Sequence, residues 1–272
     1  MSTAYASHGD TKHILLIPST PTECFEMSAI GLDLAERFQT PVMLMSDLDL
    51  GMNEHITKPF MWDKNRKYDR GKVLTAEDLE QPNLDWGRYL DIDGDGIPYR
   101  TIPGTHPSKG GYFTRGTSRD EYARYTEKGE VYQRNVDRLT LKWNTAKKVV
   151  PKPEFYQKSN TGSYGLIFYG TTTYAAIEAM DALKDQGSSM DAMRLKSFPF
   201  SKEVEQFIDD HETIFVIEQN KDGQVRSMLI NELEINPSKL ASILNYNGYP
   251  ITSDFIINQI GEHLSIKMIA SA

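Results

Sequence analysis

The sequence predicts an α/β protein whose C-terminal part is a doubly wound parallel sheet. Residues 164–224 alternate twice between a short apolar run and a segment whose apolar residues recur every three or four positions. The run TIFVIEQN (residues 213–220) is rich in β-branched side chains, as strands buried on both faces are. A similar strand–helix–strand pattern occupies residues 13–45. Successive units of this kind are typical of parallel strands covered by helices.

The first unit begins with a predicted strand, HILLIP (residues 13–18), and returns to a second strand at residues 42–45. Ser19 or Thr20 is placed to cap the helix between them. The apolar face of this helix consists of Cys24, Met27, Ile30, Leu34 and Phe38. A lone βαβ unit cannot cover both faces of its own strands. We therefore expect either that the chain is a fragment or that another polypeptide completes this first sheet.

From about residue 50 to residue 158 the periodicity fades, and Gly, Pro, Asp, Arg and Tyr become frequent. One helix is predicted there, at about residues 130–150. A connection of this length is usually functional or wraps a partner when it is not disordered. Its many aromatic residues argue against disorder: Trp62, Trp86, Tyr89, Tyr99, Tyr112, Phe113, Tyr122 and Tyr125. We expect an ordered arm that lies on a neighbouring surface.

The C-terminal domain is predicted to span residues 162–264. Its strands are expected at residues 165–170, 191–196, 213–220 and within 239–248, and its helices at 175–187, 201–210, 227–235 and 251–264. Thr252 or Ser253 is placed to cap the last of these helices.

Composition excludes several classes of function. The formal charge of −8 and the pI near 5.3 argue against a nucleic-acid partner, because phosphate binding needs clustered Lys and Arg. No apolar run reaches the length that spans a bilayer, and the polar first segment predicts a cytoplasmic protein. The single cysteine, Cys24, excludes an intrachain disulfide and an iron–sulfur cluster held by this chain. We expect Cys24 to be a buried, inert thiol.

In a doubly wound sheet, ligands bind beyond the carboxyl ends of the strands. Residues 170–173, 196–200 and 218–224 are predicted to lie there. Thr171, Thr172 and Thr173 have two interpretations: they bind an anion at a helix N-terminus, or they are ordinary N-caps, which is the favoured interpretation. The sequence contains neither a G-x-G-x-x-G nor a G-x-x-x-x-G-K-[ST] motif, which argues against a dinucleotide enzyme or a P-loop site.

The motif D-x-D-x-D-G, formed by Asp91, Asp93, Asp95 and Gly96, matches the opening of a calcium-binding loop. Position twelve of that template is Ile102, where a bidentate Glu is required. An acidic turn without an ion is therefore the favoured interpretation, and the sequence leaves ion binding open.

A glycine-punctuated loop downstream carries several polar side chains: His106, Lys109, Thr114, Arg115, Ser118 and Arg119. Arg115 or Arg119 is suited to bind a carboxylate or phosphate in bidentate fashion. A surface ion pair with Asp120, Glu121 or a subunit partner is the favoured alternative.

The spacing of Glu121 and Arg124 fits one helical turn, which supports that alternative. The other histidines, His8, His13, His55, His211 and His263, are scattered without the spacing of metal ligands. We therefore expect them to be surface or packing residues.

Three stretches, residues 13–53, 88–132 and 215–229, together resemble the alpha subunit of 2-oxoacid:ferredoxin oxidoreductases, especially those of the 2-oxoglutarate type. The likeness runs from about residue 6 to residue 264. The middle stretch is long and irregular, which makes the resemblance more specific than any short motif in the chain.

The resemblance implies part of a thiamine diphosphate enzyme that oxidatively decarboxylates a 2-oxoacid, forms an acyl-coenzyme A and passes electrons to ferredoxin. It divides the chain into the C-terminal part of a pyrimidine-binding domain (residues 1–58), a connecting arm (residues 59–161) and a transketolase-C-like domain (residues 162–272). A beta subunit then supplies the diphosphate and magnesium site and an iron–sulfur cluster. Such a chain is expected to be inactive alone.

The family's Tyr-Pro-Ile-Thr-Pro motif, its cofactor-activating Glu and its Arg- and Gly-rich substrate loop do not precede HILLIP in this sequence. Tyr249, Pro250, Ile251 and Thr252 resemble the motif, but Ser253 replaces its last Pro and the position lies in the other domain. We therefore assign no catalytic or cofactor-binding residue and no metal ligand. We expect a partner chain to supply the missing segment. The alternative is a noncatalytic assembly subunit of the same kind of complex.

Overall fold

Two β-sheets organise the chain in a computed structural model, which describes residues 1–7, 9–156 and 163–264. The strands are β1 (Ile14–Leu16), β2 (Val42–Leu44), β3 (Glu154–Tyr156), β4 (Tyr164–Tyr169), β5 (Asp191–Leu195), β6 (Ser197–Phe198), β7 (Thr213–Glu218) and β8 (Leu240–Leu244). The helices are α1 (Pro21–Phe38), α2 (Leu48–Met52), α3 (Ala76–Glu80), α4 (Gly129–Val149), α5 (Thr172–Asp185), α6 (Lys202–Asp209), α7 (Gln224–Leu233) and α8 (Ser253–Leu264), and a 3-10 turn covers Pro237–Lys239.

The larger sheet has five strands in the order β3-β5-β4-β7-β8. β4, β5, β7 and β8 are mutually parallel, and β3 pairs antiparallel with β5 at one edge. Leu166 and Phe168 of β4 pack with α5 and α8, whereas Ile167 packs with α6 and α7 on the opposite face. The predicted α/β class and doubly wound parallel sheet are confirmed, although β3 was not predicted.

The smaller sheet has the strand order β2-β1-β6. β1 and β2 are parallel and are joined by α1, as predicted. Thr20 is the N-cap of α1, because its side chain accepts a hydrogen bond from the amide of Glu23. The helix ends at Gln39, whose backbone adopts a left-handed conformation.

β6 corrects the expectation of a lone βαβ unit, because it adds a third strand to the first sheet. That the chain is a fragment, or that another polypeptide completes this sheet, stays a prediction. Ser197 and Phe198 lie in a segment predicted as a loop, yet they pair antiparallel with β1. Ile14 and Leu16 pack against α1, while Leu15 packs in the core that the larger sheet shares with α6 and α7. This chain therefore covers both faces of β1. Among the described strands, none pairs with the outer edge of β2.

The arm is ordered, as its aromatic residues predicted. The ring of Trp62 packs against Phe25 and Tyr68, and the indole of Trp86 donates to the carbonyl of Tyr99. α4 was predicted correctly, whereas the short helices α2 and α3 were not. No helix in the described part of the chain is long and apolar enough to cross a bilayer.

Candidate functional site

The carboxyl ends of strands from both sheets meet around a cavity of about 160 Å³. Its wall takes residues from each of the three segments predicted to form this edge, residues 170–173, 196–200 and 218–224. Asp47 and Tyr169 are among its polar residues. The rest of the lining is mostly apolar and includes Leu15, Ile17, Met45, Leu195, Phe198, Phe200, Val225 and Met228.

The N-terminus of α5 holds a carboxylate from the chain's own first segment. Asp47 Oδ2 accepts hydrogen bonds from the Thr171 amide at 2.9 Å and the Thr171 hydroxyl at 2.8 Å. The same hydroxyl lies 3.1 Å from Asp49 Oδ2. Thr171 makes no side-chain cap to its own helix. The threonine segment thus meets an anion, as one interpretation predicted, but that anion is intramolecular. Thr171 also occupies the N-cap position of α5, as the favoured interpretation predicted.

The N-terminus of α7 likewise binds a carboxylate of this chain, that of Glu218 at the end of β7. This fully buried carboxylate accepts from the amides of Val225 at 2.8 Å and Arg226 at 2.9 Å. It also accepts from the Asn220 side chain at 2.9 Å and the Tyr169 hydroxyl at 3.2 Å. Burial, followed by the Glu218 charge, raises the pKa of Tyr169 well above its usual range.

A buried ion network joins β5 to the start of α1. The guanidinium of Arg194 donates to both carboxylate oxygens of Glu23, at 2.6 and 2.7 Å, and to Glu154 at 2.6 Å. Lys196 adds a contact of 2.9 Å to Glu23. Burial opposes ionisation of Glu23, but the hydrogen bonds from Arg194 and Lys196 outweigh it and hold the pKa of its carboxyl well below its usual range.

Each of these four carboxylates, Asp47, Glu218, Glu23 and Glu154, is engaged by donors of the protein itself. Sequence reasoning missed all of them. For Arg194 a signal existed, because a charged residue inside an otherwise apolar strand requires a buried partner. For Asp47 the partner lies in a distant segment, and no local pattern marks it. Glu218 binds Asn220, Val225 and Arg226 shortly after it in the chain, within the segment predicted to lie at this edge.

The acidic motif forms a turn held by backbone amides and a lysine. The Asp91 carboxylate accepts from the amides of Gly94, Asp95 and Gly96 at 2.8 to 3.3 Å. Lys72 Nζ lies 2.7 Å from carboxylate oxygens of both Asp93 and Asp95. The described residues contain no group of three or more His, Cys, Asp or Glu that could hold a metal. Gly96 is required for another reason, because a Cβ there would lie 2.2 Å from the backbone nitrogen of Lys142 in α4.

The two loop arginines lie over tyrosine rings, and among the described residues neither forms an ion pair with Asp120 or Glu121; an ion pair with a subunit partner stays a prediction. The Arg115 guanidinium lies 5.6 Å from the ring centre of Tyr125, and that of Arg119 lies 5.4 Å from the ring of Tyr89. Glu121 pairs with Arg134 of α4 at 2.8 Å.

The predicted helical turn at Glu121 and Arg124 is wrong. Ala123 adopts a left-handed conformation, and the Asp120 carboxylate binds the amides of Tyr122 and Arg124. Farther along the arm, Glu80 pairs with His106 at 2.6 Å and with Lys109 at 2.7 Å. The polar residues of this loop are therefore distributed among separate contacts and are not gathered in one site.

Cys24 is half-buried rather than buried. Burial, followed by the charges of Asp47 and Glu23, raises the pKa of its thiol, which favours the unreactive protonated form. His211 is buried, with its ring nitrogens 2.7 Å from the Phe207 carbonyl and 3.3 Å from Asp191.

The remaining predicted positions have simple surroundings. The ring of His263 packs against Phe215, and His55 contacts the Asp49 carbonyl. His8 lies outside the described residues. Tyr249 lies in the exposed turn before α8, and Thr252 accepts from the Phe255 amide, as predicted for the cap.

The described residues do not fit the diphosphate and metal site that the family resemblance implies. No metal-ligand cluster is present among them, and the amides at the N-termini of α5 and α7 already bind Asp47 and Glu218. Glu23 is held ionised by Arg194, so it is not the proton-transferring Glu that an aminopyrimidine requires.

No family model matches the sequence. A 2-oxoacid:ferredoxin oxidoreductase alpha subunit of Aeropyrum pernix is 26% identical over 254 residues, which is 92% of this chain and 38% of the relative. The corresponding subunit of Saccharolobus solfataricus is 27% identical over 259 residues, with the same coverage. The chain is a homologue of 2-oxoacid:ferredoxin oxidoreductase alpha subunits. The resemblance recognised in the sequence is confirmed, and the chain spans about 38% of the length of these relatives.

Two further comparisons extend this result. A 2-oxoglutarate synthase subunit KorA of Methanothermobacter thermautotrophicus is 43% identical over 114 residues, 41% of this chain and 30% of that subunit. The solved 2-oxoglutarate:ferredoxin oxidoreductase of Magnetococcus marinus superposes on 97% of this chain and 44% of its own, with a TM-score of 0.82 at 23% identity. The described part of the chain, including the described part of the arm, therefore shares the fold of the matching region of that enzyme.

Proposed function

We propose that this chain is part of the alpha subunit of a thiamine diphosphate-dependent 2-oxoacid:ferredoxin oxidoreductase. The complex decarboxylates a 2-oxoacid oxidatively, transfers the acyl group to coenzyme A and passes the electrons to ferredoxin. The observation that carries the proposal is the similarity to alpha subunits over 92% of the chain. We also propose that the protein is cytoplasmic. Its single cysteine is compatible with that reducing compartment, in which disulfides are rare.

2-Oxoglutarate is the first substrate to test. A subunit of a 2-oxoglutarate synthase is 43% identical to this chain over 114 residues. The Magnetococcus marinus enzyme was solved with 2-oxoglutarate, coenzyme A and succinyl-CoA bound. Both facts concern those proteins, and they motivate the choice of substrate for this one.

Thiamine diphosphate and magnesium would lie at the interface with partner chains, and the iron–sulfur cluster in the beta subunit. The internal contacts of Asp47, Glu218 and Glu23 support this division, because they leave the described edge without a free diphosphate or metal site. In this proposal, the chain contributes the mostly apolar cavity wall at the carboxyl ends of its strands and the interfaces with its partners. Activity then requires assembly of the complex.

β2 and the segment that follows it offer one such interface, which we call the edge patch: Leu44 of β2 and then Leu48, Met52, Ile56 and Met61. All five side chains are exposed large hydrophobic residues, and β2 has no strand partner at its outer edge among the described strands. Exposed apolar patches beside an open sheet edge are characteristic of interaction surfaces. We propose that the remaining segment of the pyrimidine-binding domain pairs with β2 and covers this patch.

Reconstitution tests the assignment. The chain is co-expressed with the beta subunit and with the remaining alpha-subunit segment encoded in its source, and 2-oxoglutarate-dependent reduction of ferredoxin is measured with and without coenzyme A. We expect turnover from the complete set and none from this chain alone. A complete, correctly assembled complex that oxidises no 2-oxoacid would contradict the proposal.

A matched pair of variants tests the edge patch. Leu48→Glu introduces a charge into it and should abolish assembly, since burying an unpaired carboxylate is strongly unfavourable. Leu32→Glu makes the same change at an exposed position of α1 and should assemble normally. Equal assembly of the two variants would show that the segment docks elsewhere.

The second candidate is a noncatalytic assembly subunit, and the fully engaged carboxylates of the strand edge favour it. Deleting the chain does not separate the two candidates if activity is abolished, because a scaffold and a site both fail. Arg115→Ala does separate them. If the complex assembles and turnover is lost, the loop belongs to a site; if the remaining subunits work unchanged without this chain, it is a dispensable scaffold.

A further inference from the structure

A second cavity, of about 270 Å³, lies at the opposite end of β1 from the candidate site. It is enclosed by α4, the segment before β1 and the end of α1. The apolar part of its wall includes Ile14, Phe38, Trp143 and Ala146. Lys142 also lines the cavity. None of the carboxylates of the candidate site lines it.

The amine of Lys142 is desolvated and surrounded by positive charge. Its Nζ donates to the Phe38 carbonyl at 3.1 Å. Burial first, and then the charges of Arg138 and Arg88, lowers the pKa of Lys142 to about 8. Burial also lowers the pKa of Arg138, which lies one turn earlier on α4 and donates to the Gly96 carbonyl.

This positive cluster has no direct counter-ion. Within residues 1–7, 9–156 and 163–264, no carboxylate forms an ion pair with Arg88, Arg138 or Lys142. Asp91 attracts Arg138 at longer range, but its oxygens bind the amides of the acidic turn.

The other charged groups around the cavity do not compensate the cluster. Asp10 is exposed at the rim, and Lys12 pairs with Glu232 at 2.7 Å. The carbonyl end of α1 is the one feature that favours the ammonium form of Lys142. Like charges four residues apart on a helix destabilise it. A negative charge on the Lys142 side chain would relieve that repulsion.

We propose that Lys142 is a carbamylation site, at which the amine reacts reversibly with carbon dioxide inside this cavity. The lone pair of the neutral amine nitrogen forms the new C–N bond. The electron pair of one C–O π bond moves onto oxygen, which gives the carboxylate, and one N–H proton is transferred to water. No oxidant is needed. Carbon dioxide is small and apolar, and Ile14, Phe38, Leu139, Trp143 and Ala146 give it an apolar part of the wall to contact. The carbamate anion is attracted by Arg138 and Arg88.

Carbon-13 NMR of the complete chain under ¹³CO₂ tests the proposal. We expect a carbamate resonance at pH 8.5 that is lost in Lys142→Arg and retained in Lys148→Arg, an exposed lysine of the same helix. Arginine at position 142 keeps a donor for the Phe38 carbonyl but forms no carbamate. The signal should weaken towards pH 6.5, because the amine becomes protonated and an ammonium does not react.

The N-terminal amine provides an internal comparison. Burial lowers the pKa of the Met1 amine, so it is a competing carbamate former whose resonance persists in Lys142→Arg. Trapping of the carbamate with a trialkyloxonium salt, followed by peptide mass spectrometry, locates the modified residue in the unsubstituted chain even if the variant does not fold. Identical spectra for the unsubstituted chain and Lys142→Arg, or trapping at the N-terminus alone, would overturn the proposal.

Discussion

The larger sheet and the connecting arm are both ordered, but different forces hold them. Leu166, Ile167 and Phe168 of the sheet are fully buried, so this region is stabilised by apolar area removed from water. In the arm, Met61 and Phe113 are exposed. Its path is set by single contacts of known geometry, such as the Asp91 turn and the lysine that bridges its carboxylates. In the sheet, the loss of stability on substitution should therefore depend on how much buried side-chain volume is removed. In the arm, it should depend on whether the substituted residue makes one of these specific contacts.

The largest effect is expected from truncating the core of the sheet. Phe168→Ala should lower the free energy of unfolding by about 3–5 kcal/mol, because it leaves a cavity between β4 and the helices that cover it. Phe113→Ala removes the same atoms in the arm and should change it by about 0.5 kcal/mol or less. Urea denaturation measures both, and equal losses would remove the distinction between the two regions.

A single Cβ should have a large effect in the arm only where the backbone is tightly packed. Gly96→Ala places a Cβ 2.2 Å from Lys142 N and 2.6 Å from the Arg138 carbonyl, and should cost about 3 kcal/mol. Gly94 also has a positive φ, but a Cβ there would meet no described atom within 4 Å apart from its chain neighbours, so Gly94→Ala should cost about 1 kcal/mol. Similar melting temperatures for the two variants would show that the turn does not pack on α4.

The buried ion network between β5 and α1 should make the stability of the protein depend on the charge of Glu23. Glu23→Gln should lower the free energy of unfolding at pH 7 by about 2 kcal/mol, since it leaves the half-exposed Glu154 as the remaining carboxylate paired with Arg194 among the described residues. Glu26→Gln, on the exposed face of the same helix, should change it by about 0.5 kcal/mol or less.

The same pair of variants gives a pH test. The folded pKa of Glu23 is depressed, so its contribution is present above the unfolded value of about 4.3 and is lost as pH falls towards the folded value. The difference between the unsubstituted chain and Glu23→Gln should therefore be constant from pH 7 to about 5 and shrink below about 4. A difference that does not change down to pH 2.5 would mean that Glu23 is not the titrating group.

The smallest expected effects come from substituting two neighbouring carboxylates, Asp47 and Asp49, at the carboxyl ends of the strands. Asp47→Asn weakens the contacts to the Thr171 amide and hydroxyl and should cost about 1 kcal/mol. Asp49→Asn affects only the longer contact to the Thr171 hydroxyl and should cost about 0.5 kcal/mol or less. Equal losses measured by thermal denaturation would argue against Asp47 as the anion that binds the N-terminus of α5.

The contrast between sheet and arm also explains what the sequence could predict. Runs such as TIFVIEQN identify a buried strand because burial acts on residue type, and the strands and helices of the larger sheet were predicted apart from β3. β6 was missed because two residues carry no periodicity. In the arm, Gly96 was visible as part of a calcium-like motif, but the reason for it, the close approach of α4, lies 46 residues farther along the chain at Lys142.

The candidate site shows the same limit. Its location at the carboxyl ends of the strands follows from topology alone, whereas its chemistry depends on pairings between distant segments. Asp47 meets Thr171, and Arg194 meets Glu23. Only resemblance over a long stretch could suggest the function, and the comparisons support that resemblance without identifying a catalytic residue in this chain.

The most direct test of the central claim is native purification of this chain from its source, with mass spectrometry of the proteins that accompany it and an assay of 2-oxoacid-dependent ferredoxin reduction. The account predicts an active complex containing an iron–sulfur, thiamine diphosphate-binding chain and a polypeptide region that completes the first sheet. A chain that purifies without such partners, while the 2-oxoacid oxidising activity elutes elsewhere, would contradict it.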